Sequence, residues 1–304
     1  GLLPPDSGEV RYDGMDVAEV PPGERRIGMV FQGYALYPHV TSRRNVLSYF
    51  MFRRKTPALD ALAEAKYRRT ADLMGVELTA LLDRKPPTLS GGEKQRVALG
   101  RCITRDATVF LVDEPFANLD QALREKYRVN LKLLLREFGI TTVYVTHDHH
   151  EALVLGDRLA IMNAGRLEQV GTAEELYHEP DNAFVAGFLS LQDGVPPISL
   201  LDPERVPGGA PWPAHAQLGV RPRDVRLLAE PGPQRLPGVV AERLPQPLTD
   251  TTLFVVRVGD QPVHALLTGP ASHAVGERVW LGFERFHLFD KASGARLRGE
   301  PAAR

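Results

Sequence analysis

The sequence has little cysteine and no long apolar run, and each shortage excludes a class of protein. Cys102 is the single cysteine, so no disulfide can form within the chain, as is usual in a reducing compartment. We expect this thiol to be a small buried residue on a helix. No apolar stretch reaches the roughly 18 residues of a membrane-spanning helix, and we expect no signal peptide. The formal net charge of −1 gives no indication of a nucleic-acid partner.

Two domains are expected, because 304 residues exceed the size at which one hydrophobic core usually stops growing. Up to about residue 190, short apolar runs typical of β-strands occur at 26–31, 108–112, 141–146 and 158–162. Between the second and third runs, apolar residues recur at helical spacing: Leu123, Tyr127, Leu131, Leu134, Leu135 and Phe138. Gly139 stands where such a helix would end. Strands that alternate with helices predict an α/β domain with a largely parallel, helix-covered sheet.

The composition changes after residue 190. Prolines and glycines are frequent in 191–216, which predicts a linker or an irregular crossing rather than a core element. Short β-type runs follow at 217–220, 225–228, 238–243, 253–258, 263–267, 278–283 and 286–289. Their length and spacing predict a small β-barrel in 217–304.

The segment 89–96, with the sequence Leu-Ser-Gly-Gly-Glu-Lys-Gln-Arg, precedes a helix-forming stretch. Ser90 is a good helix N-cap, and Gly91 and Gly92 allow backbone N–H groups to approach a ligand closely. A helix N-terminus of this kind attracts phosphate through its dipole and its free N–H groups. Taken alone, the segment fits an ordinary turn that caps a helix better than it fits an anion site.

Two carboxylates, Asp113 and Glu114, end the apolar run 109–112. The carboxyl end of a parallel sheet is where ligands bind. Asp113 can hold Mg²⁺ there, usually through water, and Glu114 can polarise the water that attacks a γ-phosphate. The alternative is a solvated acidic pair at a strand end, which the apolar strand before it and the helix after it disfavour.

Three weaker features follow predicted strands or the acidic pair. Gln32 supplies an amide that can contact Mg²⁺ or the attacking water, and His147 is placed to reach a phosphate. The short turn 117–120, Ala-Asn-Leu-Asp, follows the acidic pair after two residues. Each is inconclusive by itself, because a histidine after a strand is more often a structural residue.

Together, in order and in spacing over the first 190 residues, these segments closely resemble the ATP-binding cassette family. The segment 89–93 matches its signature loop, with glutamate where glutamine is commonest, and 109–114 resembles its Walker B strand. The segment 117–120 resembles its D-loop. The resemblance implies ATP and Mg²⁺ as cofactors, with the nucleotide contacted by Ser90, Gly91, Gly92, Glu93 and Asp120.

The same resemblance implies roles for the catalytic residues. Glu114 would be the general base, and His147 would be the switch histidine. Gln32 would be the sensor glutamine, and it would share the metal with Asp113.

Further segments are similar to the import ATPases of the maltose and glycerol-phosphate type. They lie at 32–39, 165–171, 174–177, 184–188, 218–222 and 285–290. The resemblance implies a cassette domain in 1–190 and an OB-like regulatory barrel of the TOBE type in 217–304. It also implies that the membrane subunit is contacted by Tyr34, Leu36, Tyr37 and His39. The alternative for three of these residues, Tyr34, Leu36 and Tyr37, is that they only cover the core.

A phosphate-binding loop of the form Gly-x-x-x-x-Gly-Lys-Ser/Thr occurs nowhere in the 304 residues. In the family, that loop precedes the segment that the first residues resemble. We interpret the sequence as one that begins after the loop, because the other catalytic positions are present. The alternative is a silent or regulatory cassette that lends its signature to a partner.

The resemblance implies an ATP-hydrolysing subunit that powers an importer of sugars or related small solutes. Its expected partners are a second cassette, with which it forms a homodimer, the integral membrane permease subunits and, indirectly, a solute-binding protein. Its expected place is the cytoplasmic face of the bacterial inner membrane. Importers of polyamine, iron or sulfate remain an alternative. A DNA-repair or ribosome-acting cassette is disfavoured, because the chain has no room for a coiled-coil insertion and carries one signature.

Overall fold

The computed structural model describes residues 1–51, 53–105, 107–116, 121–190, 192, 194–269 and 273–297. The chain folds into two compact units, Gly1–Gly156 and Asp157–Arg304. Within the described residues, no helix combines the length and the apolar character needed to cross a membrane.

The first unit contains a three-stranded parallel sheet with helices packed on it. Its strands are β1 Arg11–Tyr12, β2 Met15–Asp16, β3 Ile27–Val30, β4 Val109–Asp113 and β5 Thr141–Val145. Its helices are α1 Ser42–Val46, α2 Ser48–Met51, α3 Pro57–Met74, α4 Val76–Thr79, α5 Gly91–Ile103, α6 Gln121–Phe138 and α7 His149–Leu155. β4 lies between β3 and β5 and pairs with both in parallel, which confirms the predicted sheet at its centre.

Close packing between α5 and the sheet explains a glycine and the single cysteine. A Cβ atom added to Gly28 of β3 would lie 2.7 Å from the Cβ of Cys102 and 2.9 Å from the ring of Phe110. Only a residue without a side chain fits this approach. Cys102 is buried on α5, as predicted, and burial raises the pKa of its thiol to about 11.

The second unit is built mainly of antiparallel strands. Its strands are β6 Leu159–Asn163, β7 Arg166–Gly171, β8 Ser199–Leu201, β9 Ala216–Val220, β10 Val225–Leu228, β11 Leu236–Gln246, β12 Thr251–Val258, β13 Gln261–Thr268, β14 Arg278–Phe283 and β15 His287–Asp290. Its helices are α8 Ala173–His178 and α9 Ala183–Phe188. Five strands form a sheet in the order β10-β14-β11-β12-β13, and three form a sheet in the order β15-β9-β8. Residues of both sheets share one apolar core, which fits the predicted barrel.

The run 158–162 forms a strand, as predicted, but it does not join the largely parallel sheet that was expected. β6 instead pairs antiparallel with β7 in a separate two-stranded sheet. The turn explains the difference, because Ala164 and Gly165 both have positive φ, of 46° and 77°. Two left-handed residues form the tight connection of a β-hairpin, so the chain reverses here and does not cross to a parallel neighbour.

The predicted linker 191–216 contains core residues, so the expectation of an irregular crossing was wrong for part of it. β8 pairs with β9, and Leu201 and Val206 are buried in the core of the second unit. The prolines Pro197 and Pro203 stand on either side of β8 and leave its backbone free to pair.

The division between the units also falls earlier than the predicted domain end at 190. The segment after 157 is tied to the barrel through Arg221, which donates to the carbonyl oxygens of Tyr177, Ala186 and Leu189. A backbone hydrogen bond from Ala183 to Gly294 adds to this attachment. Contacts therefore group α8 and α9 with the β-rich unit.

Candidate functional site

The carboxyl ends of the three parallel strands bring Gln32, Glu114 and His147 together. The Nε2 atom of Gln32 donates to Oε2 of Glu114 over 3.3 Å. The Nδ1 atom of His147 lies 2.8 Å from Oε1 of the same carboxylate. Parallel pairing places these residues at one edge, because each follows the end of its strand by one or two positions. Both carboxylate oxygens of Glu114 therefore have a polar partner.

The backbone of Glu114 is held in a conformation that L-residues rarely adopt. Its φ is +41°, and its N–H donates to the carbonyl oxygen of Val145 over 3.0 Å. This hydrogen bond continues the β4–β5 ladder one residue past Asp113. Strained residues of this kind persist where the surroundings determine them strongly, and they are frequent at functional sites.

The side chain of His147 is 72% exposed, whereas the side chain of Glu114 is 27% exposed. The hydrogen bond and charge of Glu114 raise the pKa of His147 above its ordinary value. The contact with Glu114 therefore favours the protonated form of the His147 imidazole.

A polar cluster holds the turn that carries His147. Asp148 caps α7 by accepting from the N–H groups of His150 and Glu151, and Arg128 lies 3.5 Å from its carboxylate. Glu151 is buried and accepts hydrogen bonds from the hydroxyls of Tyr144 and Thr146. Sequence reasoning missed these supporting residues. The spacing of Asp148 and Glu151 at the start of a helix is a recognisable capping pattern and could have indicated them.

Asp113 ends β4 at the same edge of the sheet, next to Glu114. A carboxylate and the amide oxygen of Gln32 are oxygen ligands, which Mg²⁺ prefers. The donor chemistry at this edge therefore fits magnesium. Among the described residues, no cluster of three or more acidic, histidine or cysteine side chains forms a complete metal cage. Such a partial set is usual for Mg²⁺, which keeps waters and substrate oxygens among its ligands.

The signature segment forms the N-terminus of α5, as expected. Ser90 and Glu93 make a reciprocal capping box, in which each side chain accepts from the backbone N–H of the other. Arg84 lies 2.8 Å from the carboxylate of Glu93. The hydrogen bond from the Ser90 N–H lowers the pKa of Glu93, and Arg84 acts in the same direction.

This capping determines which backbone N–H groups of the signature segment are left to bind an anion. The first turn of a helix has N–H groups without intrahelical partners. The capping box already occupies the N–H groups of Ser90 and Glu93. Gly91 and Gly92 therefore supply the remaining backbone donors of this turn. The predicted nucleotide contact Asp120, with the rest of 117–120, lies outside the described residues.

The segment predicted to contact the membrane subunit divides into a buried part and an exposed part. Tyr34 is 5% exposed and belongs to the core of the first unit, so its prediction as a contact residue was wrong. Its backbone has a φ of +61°, and its hydroxyl donates to the carbonyl of Pro115. Leu36 is half-buried against the same core. Tyr37 and His39 are exposed, and their rings lie edge-to-face with centroids 6.3 Å apart.

Comparisons with known proteins agree with this architecture. The family described as ABC transporter matches residues 1–117, and the family described as TOBE domain matches residues 218–289. The first unit is an ABC-type ATPase domain, and the second contains an OB-like TOBE domain. A solved structure, the dimeric post-hydrolysis state of the ATP-binding cassette MJ0796 bound to ADP and Pi, is 31% identical. It covers 56% of this chain and 75% of its own, with a TM-score of 0.44.

Several import ATP-binding proteins are similar over nearly the whole chain. The sn-glycerol-3-phosphate import ATP-binding protein UgpC 1 of Rhizobium etli is 39% identical over 97% of this chain and 84% of its own. The trehalose/maltose import ATP-binding protein MalK of Thermococcus litoralis is 43% identical over 88% of this chain and 71% of its own. The xylose/arabinose import ATP-binding protein XacK of Haloferax volcanii is 39% identical over 98% of this chain and 82% of its own. The chain belongs to the ABC transporter family, and it is an ATP-hydrolysing subunit of the import type.

Proposed function

We propose that this chain powers the import of a sugar or a related small solute by hydrolysing ATP at the edge formed by Gln32, Glu114 and His147. The observation that carries the proposal is the carboxylate of Glu114, which is held between an amide and an imidazole at the carboxyl end of a parallel sheet. A carboxylate in this position can accept a proton from an attacking water.

The two contacts hold the carboxylate of Glu114 in place. His147 contacts Oε1 of Glu114 and Gln32 contacts Oε2, and each oxygen keeps a second lone pair that can accept a hydrogen bond from a water. A protonated His147 would attract the γ-phosphate of ATP, and the amide oxygen of Gln32 would be a ligand for Mg²⁺. Glu114 orients the water and takes its proton as the water attacks the γ-phosphate.

Mg²⁺ would be held by Asp113 and Gln32, and it would neutralise charge that develops on the phosphates. Asp113 suits this role because it is the last residue of β4 and directly precedes Glu114. The amides of Gly91 and Gly92 in the signature would contact the γ-phosphate of a nucleotide held by a second cassette. This arrangement makes the active form a dimer of cassettes.

The partners follow from the same proposal. The exposed pair Tyr37 and His39 contacts an integral membrane subunit, and the assembly lies on the cytoplasmic face of the inner membrane. A solute-binding protein acts indirectly, through the membrane subunits. The relatives named for glycerol phosphate, trehalose or maltose, and xylose or arabinose support a carbohydrate or a polyol phosphate as the solute.

The test is a Glu114→Gln substitution in the assembled importer. The amide keeps the size of the side chain but cannot accept the proton, so ATP turnover falls by about 10²–10⁴-fold while nucleotide stays bound. Glu137→Gln, on the exposed surface of α6, is the matched control and keeps the parental rate. Turnover of the Glu114→Gln protein at the parental rate would show that Glu114 is not the base.

A further inference from the structure

Arg101, near the end of the signature helix α5, holds the segment that carries Tyr37. Its Nη1 atom donates to the carbonyl oxygen of Ala35 over 2.7 Å, and its Nη2 atom donates to that of Tyr34 over 3.0 Å. These two bonds join residues 66 and 67 positions apart in the chain. One side chain thus connects the signature helix directly to the turn that follows Gln32.

The turn that Arg101 holds is strained. Tyr34 and Ala35 are consecutive non-glycine residues in the left-handed region, with φ of +61° and +45°. L-residues avoid this region because of contacts between Cβ and the backbone. Two adjacent residues remain there only when surrounding contacts fix them. The two hydrogen bonds from the guanidinium are charge-assisted, and such bonds are strong enough to contribute to this.

A second contact connects the same turn to the catalytic edge. The hydroxyl of Tyr34 donates to the carbonyl oxygen of Pro115 over 3.4 Å, and Pro115 directly follows Glu114. The Tyr34 ring is buried in the core. The turn is therefore attached on one side to the signature helix and on the other to the residue after the base.

The exposed end of the segment is also fixed. The fully buried side chain of Asn45 accepts from the N–H of Tyr37 over 2.8 Å and donates to the carbonyl of Tyr37 over 3.1 Å. It also donates to the carbonyl of Thr41. The backbone of Tyr37 therefore has a defined position, although the ring is exposed.

We propose that Arg101 is the positioning residue through which the signature helix and the segment 33–39 move as one body. A displacement of α5 is passed through the two carbonyl groups to Tyr37, and Asn45 keeps the shape of the segment during the movement. The partner contacted by Tyr37 rests on the proposed function, whereas the attachment to Arg101 does not. An arginine suits this role better than a lysine, because its planar fork reaches two carbonyls at once.

Hydrogen–deuterium exchange on the 304-residue protein tests the attachment without a partner. Arg101→Met removes both hydrogen bonds, so the amides of residues 33–39 exchange at least about tenfold faster, while those of β4 and β11 keep the parental rate. Arg101→Lys restores part of the protection. The matched control is Arg105→Met, which removes a 2.9 Å bond to the carbonyl of Gly23 and leaves the segment unchanged.

Unchanged exchange of residues 33–39 in both Arg101 variants would overturn the proposal. If Arg101→Met does not fold, the exchange of residues 33–39 in Arg101→Lys tests the proposal, because lysine keeps the charge and lacks the planar fork that reaches both carbonyls. In the assembled importer, Arg101→Lys is expected to weaken a nucleotide-dependent cross-link from position 37. A cross-link that is absent in the parental importer contradicts the partner assignment instead, and the exchange result then stands by itself.

Discussion

The Nδ1 atom of His147 lies 2.8 Å from the Oε1 atom of Glu114, although 33 residues separate them in the chain. The pairing depends on the parallel register of β4 and β5, in which Asp113 lies opposite Val145. Each functional residue then stands just past the end of its strand. A strand order in which β4 and β5 were not neighbours would separate the imidazole from the carboxylate.

The protonation of His147 should depend on Glu114. Because the hydrogen bond and charge of Glu114 raise the pKa of His147, this pKa lies above the ordinary histidine value of about 6.5. Glu114→Gln removes the charge and lowers the pKa towards that value. An NMR titration of the His147 imidazole in the 304-residue protein measures both, with Glu137→Gln as the control. Equal pKa values in the parental and Glu114→Gln proteins would contradict the contact.

The same shift gives the pH dependence of stability a definite sign. A pKa that is raised in the folded state means that folding is favoured when the histidine is protonated. The contribution of the pair is complete below the unfolded pKa, and it is lost as the pH rises through the folded pKa of His147. The denaturant midpoint of the parental protein exceeds that of Glu114→Gln at low pH, and this difference should decrease as the pH rises through the folded pKa of His147.

The central sheet and its edge could be predicted from the sequence, because their signals are local. The apolar runs before Asp113 and His147 indicate strands, and parallel pairing then brings the strand ends together. The expectation that both strands are buried on both faces was wrong for β5, where Thr141, Val143 and Val145 are exposed. The burial of Tyr34 could not be predicted in the same way. An aromatic residue after a strand fits a contact surface and a core equally well, and only the tertiary structure shows that Tyr34 packs in the core.

The roles of β8 and Arg221 could not be predicted from the sequence, because they depend on residues that are distant in the chain. β8 becomes a core strand by pairing with β9, and the many prolines around it conceal this short run. Arg221 precedes a proline and looks like a surface residue in the sequence, but its side chain is 2% exposed. Three of the four carbonyl groups that it binds belong to Tyr177, Ala186 and Leu189, more than thirty positions earlier in the chain.

Replacement of Arg221 by methionine should destabilise the second unit strongly. The guanidinium donates to four backbone carbonyls, and it lies 3.7 Å from the centre of the Tyr177 ring. Methionine fills part of the volume but leaves these buried carbonyls without donors. We expect a loss of about 2–4 kcal/mol in the free energy of unfolding, measured by urea denaturation.

Arg226→Met is the matched control for this measurement. Arg226 forms an ion pair with Glu284, and both side chains are largely exposed. Exposed pairs of this kind contribute at most about 1 kcal/mol. If the free energy of unfolding falls by no more in Arg221→Met than in Arg226→Met, then Arg221 contributes only as an exposed charge would.

Residues 1–304 should bind Mg-ATP weakly when they are alone. No loop of the form Gly-x-x-x-x-Gly-Lys-Ser/Thr occurs in them, so the β- and γ-phosphates lack the backbone donors and the lysine that such a loop provides. Isothermal titration calorimetry measures the affinity. The Glu114→Gln protein is titrated in parallel, so that hydrolysis cannot lower the apparent affinity. Micromolar binding by either protein would contradict the expectation.

Tyr37→Ala should separate ATP hydrolysis from transport. The ring of Tyr37 is 37% exposed, whereas its backbone is fixed by the buried Asn45, so truncation removes surface without disturbing the core. In the assembled importer, we expect folding and ATP turnover near the parental values and solute uptake reduced at least about tenfold, as for a contact residue that anchors an interface. Uptake into membrane vesicles, measured together with phosphate release, provides both numbers.

Tyr34→Ala is the informative comparison, because Tyr34 lies three residues earlier and its ring is buried. Loss of this aromatic side chain from the core is expected to cost about 3–5 kcal/mol and to reduce folding, ATP turnover and uptake together. The two tyrosines thus give different patterns if one anchors the partner and the other fills the core. If Tyr37→Ala also unfolds the protein, or if uptake survives it unchanged, then Tyr37 has a structural role and the membrane subunit is contacted elsewhere.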